Sequence, residues 1–155
     1  MNNGNTTSSK DWNIIFFAWL VATIATLGSL FFSEVMEYPP CMLCWYQRIL
    51  MYPLVIIFLI GLFPLDKNVF KYSIPFVILG WLTALYHNLL QYEIISKSMT
   101  PCSQGIPCSI KYINFFGFIS IPMLSFIAFS IILILLFLFF KRKKSWTNKK
   151  AYYWR

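Results

Sequence analysis

Charged residues divide this chain into four long apolar stretches. Residues 12–33, 49–65, 72–92 and 112–140 contain none. A helix crossing a hydrocarbon core of about 30 Å needs roughly 20 apolar residues, and the first, third and fourth stretches satisfy that outright. The second is short but can borrow residues 43–47. The fourth is too long, and residues 112–118, with Asn114 and Gly117, suit the interface better than the interior. The pattern therefore predicts an all-α integral membrane protein, a four-transmembrane-helix bundle with spans at about 12–33, 46–65, 72–92 and 119–140. Pro122 falls in a first helical turn, where a missing N–H costs little. Pro53 and Pro64 sit near the ends of span two, where neighbouring helices can satisfy freed carbonyls. Ala18, Ala22 and Thr26 in span one repeat at a small-residue spacing that lets helices approach closely. Residues 1–11, rich in Asn, Ser and Thr, read as a disordered lead.

Composition agrees. Of 155 residues, 59% are hydrophobic and 12% charged, against about a quarter charged in soluble domains. Disordered, collagenous and ordinary soluble proteins are excluded. A net charge of +8 could suggest nucleic-acid binding, but seven of the basic residues lie in residues 141–155, directly after an apolar run. That distribution marks a cytoplasmic helix end set against anionic lipid headgroups. Lys10, Lys67 and Lys71 agree with it. Both termini are thus expected in the cytoplasm, and the loops at about 33–47 and 93–111 outside it. Span one is read as a retained helix, since its apolar run exceeds a signal peptide's core and its basic lead is one lysine.

All four cysteines, Cys41, Cys44, Cys102 and Cys108, fall in the two outward loops. Disulfides are allowed there. Three readings are open: structural staples, a metal site and a redox relay. Spacing favours the relay. Cys41-Met42-Leu43-Cys44 closes a ring too small to restrain much chain, and C-x-x-C is a redox spacing. Pro39-Pro40 keeps any helix from starting upstream, so the second helix should begin at or just after the motif. Cys44 then lies near a helix N-terminus, with Arg48 one turn below it, and both favour a thiolate. Zinc is set aside because neither loop holds a histidine. The Cys102–Cys108 segment, with two prolines and a glycine, reads as an exposed loop open to another protein's thiolate. His87 lies about a turn and a half inside span three, with Gln91 one turn beyond. It can be a polar residue satisfied inside the bundle, or a proton carrier at a membrane-embedded redox site.

Cys41-Met42-Leu43-Cys44-Trp45-Tyr46-Gln47-Arg48, continued by Ile49-Leu50-Met51-Tyr52-Pro53, resembles the signature of the DsbB/BdbC disulfide bond formation proteins. Four spans, a cysteine pair in each outward loop and Tyr86-His87-Asn88 extend the likeness over essentially the whole chain. The resemblance implies a thiol:quinone oxidoreductase of the bacterial cell membrane that reoxidises an extracytoplasmic DsbA/BdbD-like thioredoxin-fold thiol oxidase. It implies that Cys102 forms the mixed disulfide with the partner and Cys108 completes that pair. It further implies that Cys41 exchanges with the loop pair and that Cys44 faces the quinone. Arg48, His87 and Gln47 are the residues expected at the quinone. Five residues separate Cys102 from Cys108, a short interval similar to Gram-positive members, which makes menaquinone the expected acceptor rather than ubiquinone. Beyond membrane lipid and the oxidase no partner is implied, and nucleic acid is not one. Two rival readings stand beside this one: a vitamin K epoxide reductase-like enzyme, whose C-x-x-C comes after its loop cysteines rather than before them, and a non-catalytic adaptor with stapled loops.

Overall fold

The computed structural model describes the backbone of residues 3–63, 68–92 and 120–153, and the side chains of residues 9–63, 68–92 and 120–142. Within these, four helices follow one another: α1 Asn3–Leu30, α2 Met42–Leu62, α3 Val69–Gln91 and α4 Ile121–Tyr153. All four are long and apolar enough to cross a membrane. The chain is an all-helical, multi-pass membrane protein, as the apolar pattern predicts.

Element ends differ from expectation in three places. The lead read as disordered is helical from Asn3. Once a helix is nucleated each further residue adds a hydrogen bond, and the polar lead holds no proline to stop it. Helix α2 begins inside the C-x-x-C motif, at Met42, and so lies about one turn nearer the N-terminus than the expected 46–65. Helix α4 opens at Ile121 with Pro122 in its first turn, as expected, but runs on to Tyr153, well past the expected end of the span at 140. Pro64, Asp66 and Lys67 lie outside the described residues, as do Cys102, Cys108 and the segment of residues 112–118.

Each helix packs on two neighbours, α1 on α2 and α4, and α3 on α2 and α4. The small stripe on α1 supplies close contact: Ala18 and Ala22 are fully buried beside Ile15. Phe58 and Leu54 of α2, Val77 of α3, and Phe129, Ile132 and Leu136 of α4 complete the core. Gly80 lets α3 and α4 meet, because a Cβ there would overlap the Phe129 ring. Outward faces carry Ile24, Ile60, Leu79 and Phe137, all more than half exposed. In water such a surface would aggregate; around a bundle of this length it is the lipid face.

The two ends of the bundle are chemically unlike. At one, Asp11 of α1 pairs with Arg142 of α4 at 3.0 Å, and Phe70 of α3 stacks on Phe140 of α4. Lys10, Lys71 and Lys141 belong to this end by position. At the other, α1 passes into a π-helical turn, Phe31–Val35. Glu37 then takes a positive φ of 53°, and Tyr38-Pro39-Pro40 leads into α2. The motif cysteines, Arg48 and His87 all lie at this second end.

Candidate active site

Cys41 is the cap of α2. Following Pro40 it is extended (φ −72°, ψ 167°), and its Sγ accepts the Cys44 backbone N–H at 3.4 Å. A sulfur thus occupies the place where Ser or Asp usually satisfies a helix's free N–H groups. The Sγ atoms of Cys41 and Cys44 lie 2.9 Å apart, both as free thiols. Cys41 is buried and Cys44 half-buried.

His87 reaches the same place from α3. It is 1% exposed, its Nε2 3.8 Å from the Cys41 Sγ and its Nδ1 3.2 Å from the Gln47 amide nitrogen. Gln47, one turn into α2, is itself buried. An amide N–H donated to Nδ1 leaves the ring proton on Nε2, aimed at Cys41. The Cys41 thiol is held well below the ordinary thiol range. The Cys44 thiol beside it contributes most, burial opposes, and the His87 ring and the Cys44 N–H add to the lowering.

The spacing argument favoured Cys44 as the thiolate, steadied by the helix end and by Arg48. The structure puts both sulfurs at the helix end, Cys41 as the cap and Cys44 as the third residue of α2. Arg48 has another engagement. Its Nη2 donates to the Ser29 carbonyl of α1 at 2.9 Å, and its guanidinium lies 5.6 Å from the centroid of Trp45. Ser29 stands just before the π turn, where the helical hydrogen-bond ladder changes register.

These groups line one cavity of about 410 Å³, walled by α1, α2, α3 and α4 and roofed by Tyr38, Pro39 and Pro40. Its outer end holds Cys41, Cys44, Gln47, His87 and Gln91, and its deeper wall holds Thr26, Arg48 and Tyr52. Gln91 is fixed by the Ser120 hydroxyl at 2.7 Å, and Asn88 ties α3 to α4 through the Pro122 carbonyl at 3.0 Å. Thr26 Oγ1, Arg48 Nε and Tyr52 Oη are buried without a hydrogen-bond partner. Buried polar groups left this way cost free energy. Three of them on one apolar cavity mark a place for a ligand with polar atoms, and the volume lies in the range of small-molecule pockets.

The structure therefore brings together Cys41, Cys44, Gln47, Arg48 and His87 of the residues singled out in the sequence. Cys102 and Cys108 lie outside the described residues. Thr26, Ser29 and Tyr52 were not recognised as site residues. Tyr52 follows Cys44 and Arg48 at intervals of four on α2, and Thr26 and Ser29 continue the small stripe of α1; both signals were present in the sequence. The ground for setting zinc aside also changes, since His87 comes to the motif from a span rather than a loop.

A buried dithiol at the mouth of an intramembrane cavity defines a membrane redox protein. The comparisons narrow that class. Residues 10–139 match the family of disulfide bond formation protein DsbB, and the chain belongs to that family. It is 47% identical over 136 residues to the probable disulfide formation protein C of Halalkalibacterium halodurans, covering 88% of this chain and 99% of the relative. It is 51% identical over 120 residues to disulfide bond formation protein C of Bacillus subtilis, covering 77% and 87%. It is also 51% identical over 124 residues to the probable disulfide formation protein C 2 of Bacillus cereus, covering 80% and 88%. No solved structure matches it significantly. The chain is a disulfide-forming membrane oxidoreductase of a family that is generally quinone-linked.

Proposed function

We propose that this protein is a thiol:quinone oxidoreductase that reoxidises an extracytoplasmic thioredoxin-fold thiol oxidase. The observation that carries the reading is the Cys41–Cys44 pair opening onto a cavity with three unpartnered polar groups. A quinone suits that cavity: its ring is flat and apolar, and its carbonyl oxygens can accept from Arg48 Nε, Tyr52 and Thr26. When bound, it supplies the two-electron acceptor that amino-acid side chains lack.

The chain's own groups do the rest. Cys102 receives the partner's thiolate, and Cys108 leaves as the second member of that pair. Cys41 exchanges with the loop pair, and its low-lying thiolate is a good leaving group. His87 holds or returns a proton at Cys41, with Gln47 fixing the ring. Cys44 faces the cavity, and Arg48 supplies positive charge where negative charge gathers on the acceptor. A partner kept strongly oxidising needs a sink more oxidising than itself, and about 30 mV already corresponds to 1.4 kcal/mol for two electrons.

Both termini are cytoplasmic in this reading and both cysteine loops lie outside the cytoplasm. The basic end carrying Lys10, Lys71, Lys141 and Arg142 and the cysteine end opposite it support that orientation. Menaquinone is the acceptor we favour, on the short Cys102–Cys108 interval.

Mass spectrometry of the solvent extract of purified protein identifies the quinone, with menaquinone expected. The decisive assay mixes the purified protein, reduced partner oxidase and quinone, and follows quinone absorbance. Consumption at one quinone per partner disulfide formed is expected; partner oxidation without quinone loss would refute the acceptor. A partner lacking its resolving cysteine should be trapped on Cys102. Trapping on Cys108 would reverse that pair, and trapping on Cys41 or Cys44 would remove the relay.

A further inference from the structure

We propose that Cys41, Cys44 and His87 form a redox-gated zinc site, filled when the pair is reduced and abolished when it is a disulfide. It requires only that the pair cycle between dithiol and disulfide, which the family membership supplies, and is independent of the identity of the electron acceptor.

The donor set is the first argument. The two Sγ atoms and a His87 ring nitrogen all lie within 4.8 Å of one another. Two thiolates and one imidazole are the three protein ligands of one known class of tetrahedral zinc site, whose fourth position is taken by water or substrate. All three ligand residues line the same cavity, together with Gln47 and Gln91.

Distances are the second. With Zn–S near 2.3 Å and Zn–N near 2.0 Å, tetrahedral geometry places the sulfurs roughly 3.7 Å apart and each about 3.5 Å from the nitrogen. The Cys41 Sγ to His87 Nε2 distance is already 3.8 Å. The sulfurs, at 2.9 Å, must part by less than ~1 Å. Cys44 is only half-buried, so its side chain has room for that shift.

Support behind the ligands is the third. A zinc-bound histidine generally donates its other ring N–H to an acceptor. Gln47 stands at Nδ1 of His87 at 3.2 Å. A primary amide can donate to Nδ1 in the metal-free form and, turned over, accept from it in the zinc form. One side chain thus serves both states.

Binding Zn²⁺ releases the protons still carried by the two thiols and forms two Zn–S bonds and one Zn–N bond. A disulfide offers no thiolate, so the site exists in one half of the redox cycle alone. Zinc at this place would hold the protein reduced, and act as an inhibitor set by the metal content outside the cytoplasm.

The test uses full-length protein with Cys102→Ser and Cys108→Ser, so that Cys41 and Cys44 are its only thiols. It is purified in detergent, reduced, stripped of metal and titrated with ZnCl₂ against a chromophoric chelator. Co²⁺ is titrated in parallel for its sulfur-to-metal absorption. One zinc per reduced chain is expected, and none after oxidation to the disulfide. His87→Ala should weaken binding by more than the ~10-fold that losing a supporting partner costs. Should that variant lose its helical signal, His87→Gln keeps the volume and serves instead. Absence of stoichiometric zinc in the reduced protein, equal binding after oxidation, or unchanged affinity in the folded histidine variant would each overturn the proposal. Zinc binding by a protein that reduces no quinone would defeat the functional reading and leave this one intact.

Discussion

The two halves of the bundle are built from the same four helices yet obey different rules. In the half carrying Phe58, Phe129, Leu136 and Phe139, the interior is apolar and closely packed apart from Ser73, whose hydroxyl is satisfied by the Val69 carbonyl of its own helix at 2.8 Å. In the half carrying Cys41, Gln47, His87 and Gln91, buried polar groups surround a cavity. Lipid gives helices no hydrophobic reason to associate, so cohesion must come from close van der Waals contact. The first half supplies that contact through Ala18, Ala22 and Gly80. The second can then hold a cavity and three unpartnered polar atoms, which by themselves are destabilising. Packing at one end permits chemistry at the other.

The sharpest break in this comparison is Cys44→Ser. Serine nearly preserves volume and leaves the core half untouched, but it removes the intramolecular disulfide. Transfer of electrons from partner to quinone should fall to background, while helical content and thermal midpoint stay as in the parent. A loss of folding with activity would show that the halves are not separable.

Arg48→Ala comes next. Loss of a charge-assisted hydrogen bond costs about 1.5–3 kcal/mol, roughly 10- to 100-fold in rate. Quinone reduction should slow by that factor with both disulfides still formed. Arg48→Lys should recover part of it, since the charge survives and the planar fork does not. Unchanged kinetics across quinone concentrations would remove Arg48 from the site.

Phe129→Ala tests the opposite half. The ring fills the space against Gly80 and is fully buried. In water such a truncation costs ~3–5 kcal/mol; in lipid the transfer part is absent, so about 2–3 kcal/mol is expected. Detergent-denaturant titration should show that loss with the C-x-x-C chemistry per folded molecule preserved. If turnover instead fell while stability held, the division drawn here would be wrong.

Much of this was legible in advance because charges interrupt the apolar runs so cleanly. The count of spans and the motif from Cys41 to Arg48 needed no third dimension. What escaped was the direction of side chains. Helical spacing puts Arg48 one turn below Cys44, but a long side chain can cross to another helix, and it does so at Ser29. The start of α2 at Met42 also makes Cys41 the helix cap, a role that spacing alone does not assign to it. Partners such as Gln47 with His87, 40 positions apart, depend on how α2 and α3 pack, which local spacing does not encode.

The smallest effect belongs to the one ion pair between described side chains, Asp11 with Arg142. It joins the first and last helices at the end away from the cysteines, and looks like a clasp. Its side chains are 22% and 38% exposed, so solvent and salt screen it, and pairs of this kind contribute about 0–1 kcal/mol. The adjoining Phe70–Phe140 stack holds the same end without any charge. Asp11→Asn should therefore lower the thermal midpoint by no more than about 4 °C at low salt, the largest shift such an energy gives in a domain of this size, and by nothing measurable at high salt. Turnover should not change. A large loss of stability, or any change in quinone reduction, would mean that the basic end is coupled to the cavity and that the two halves work as one.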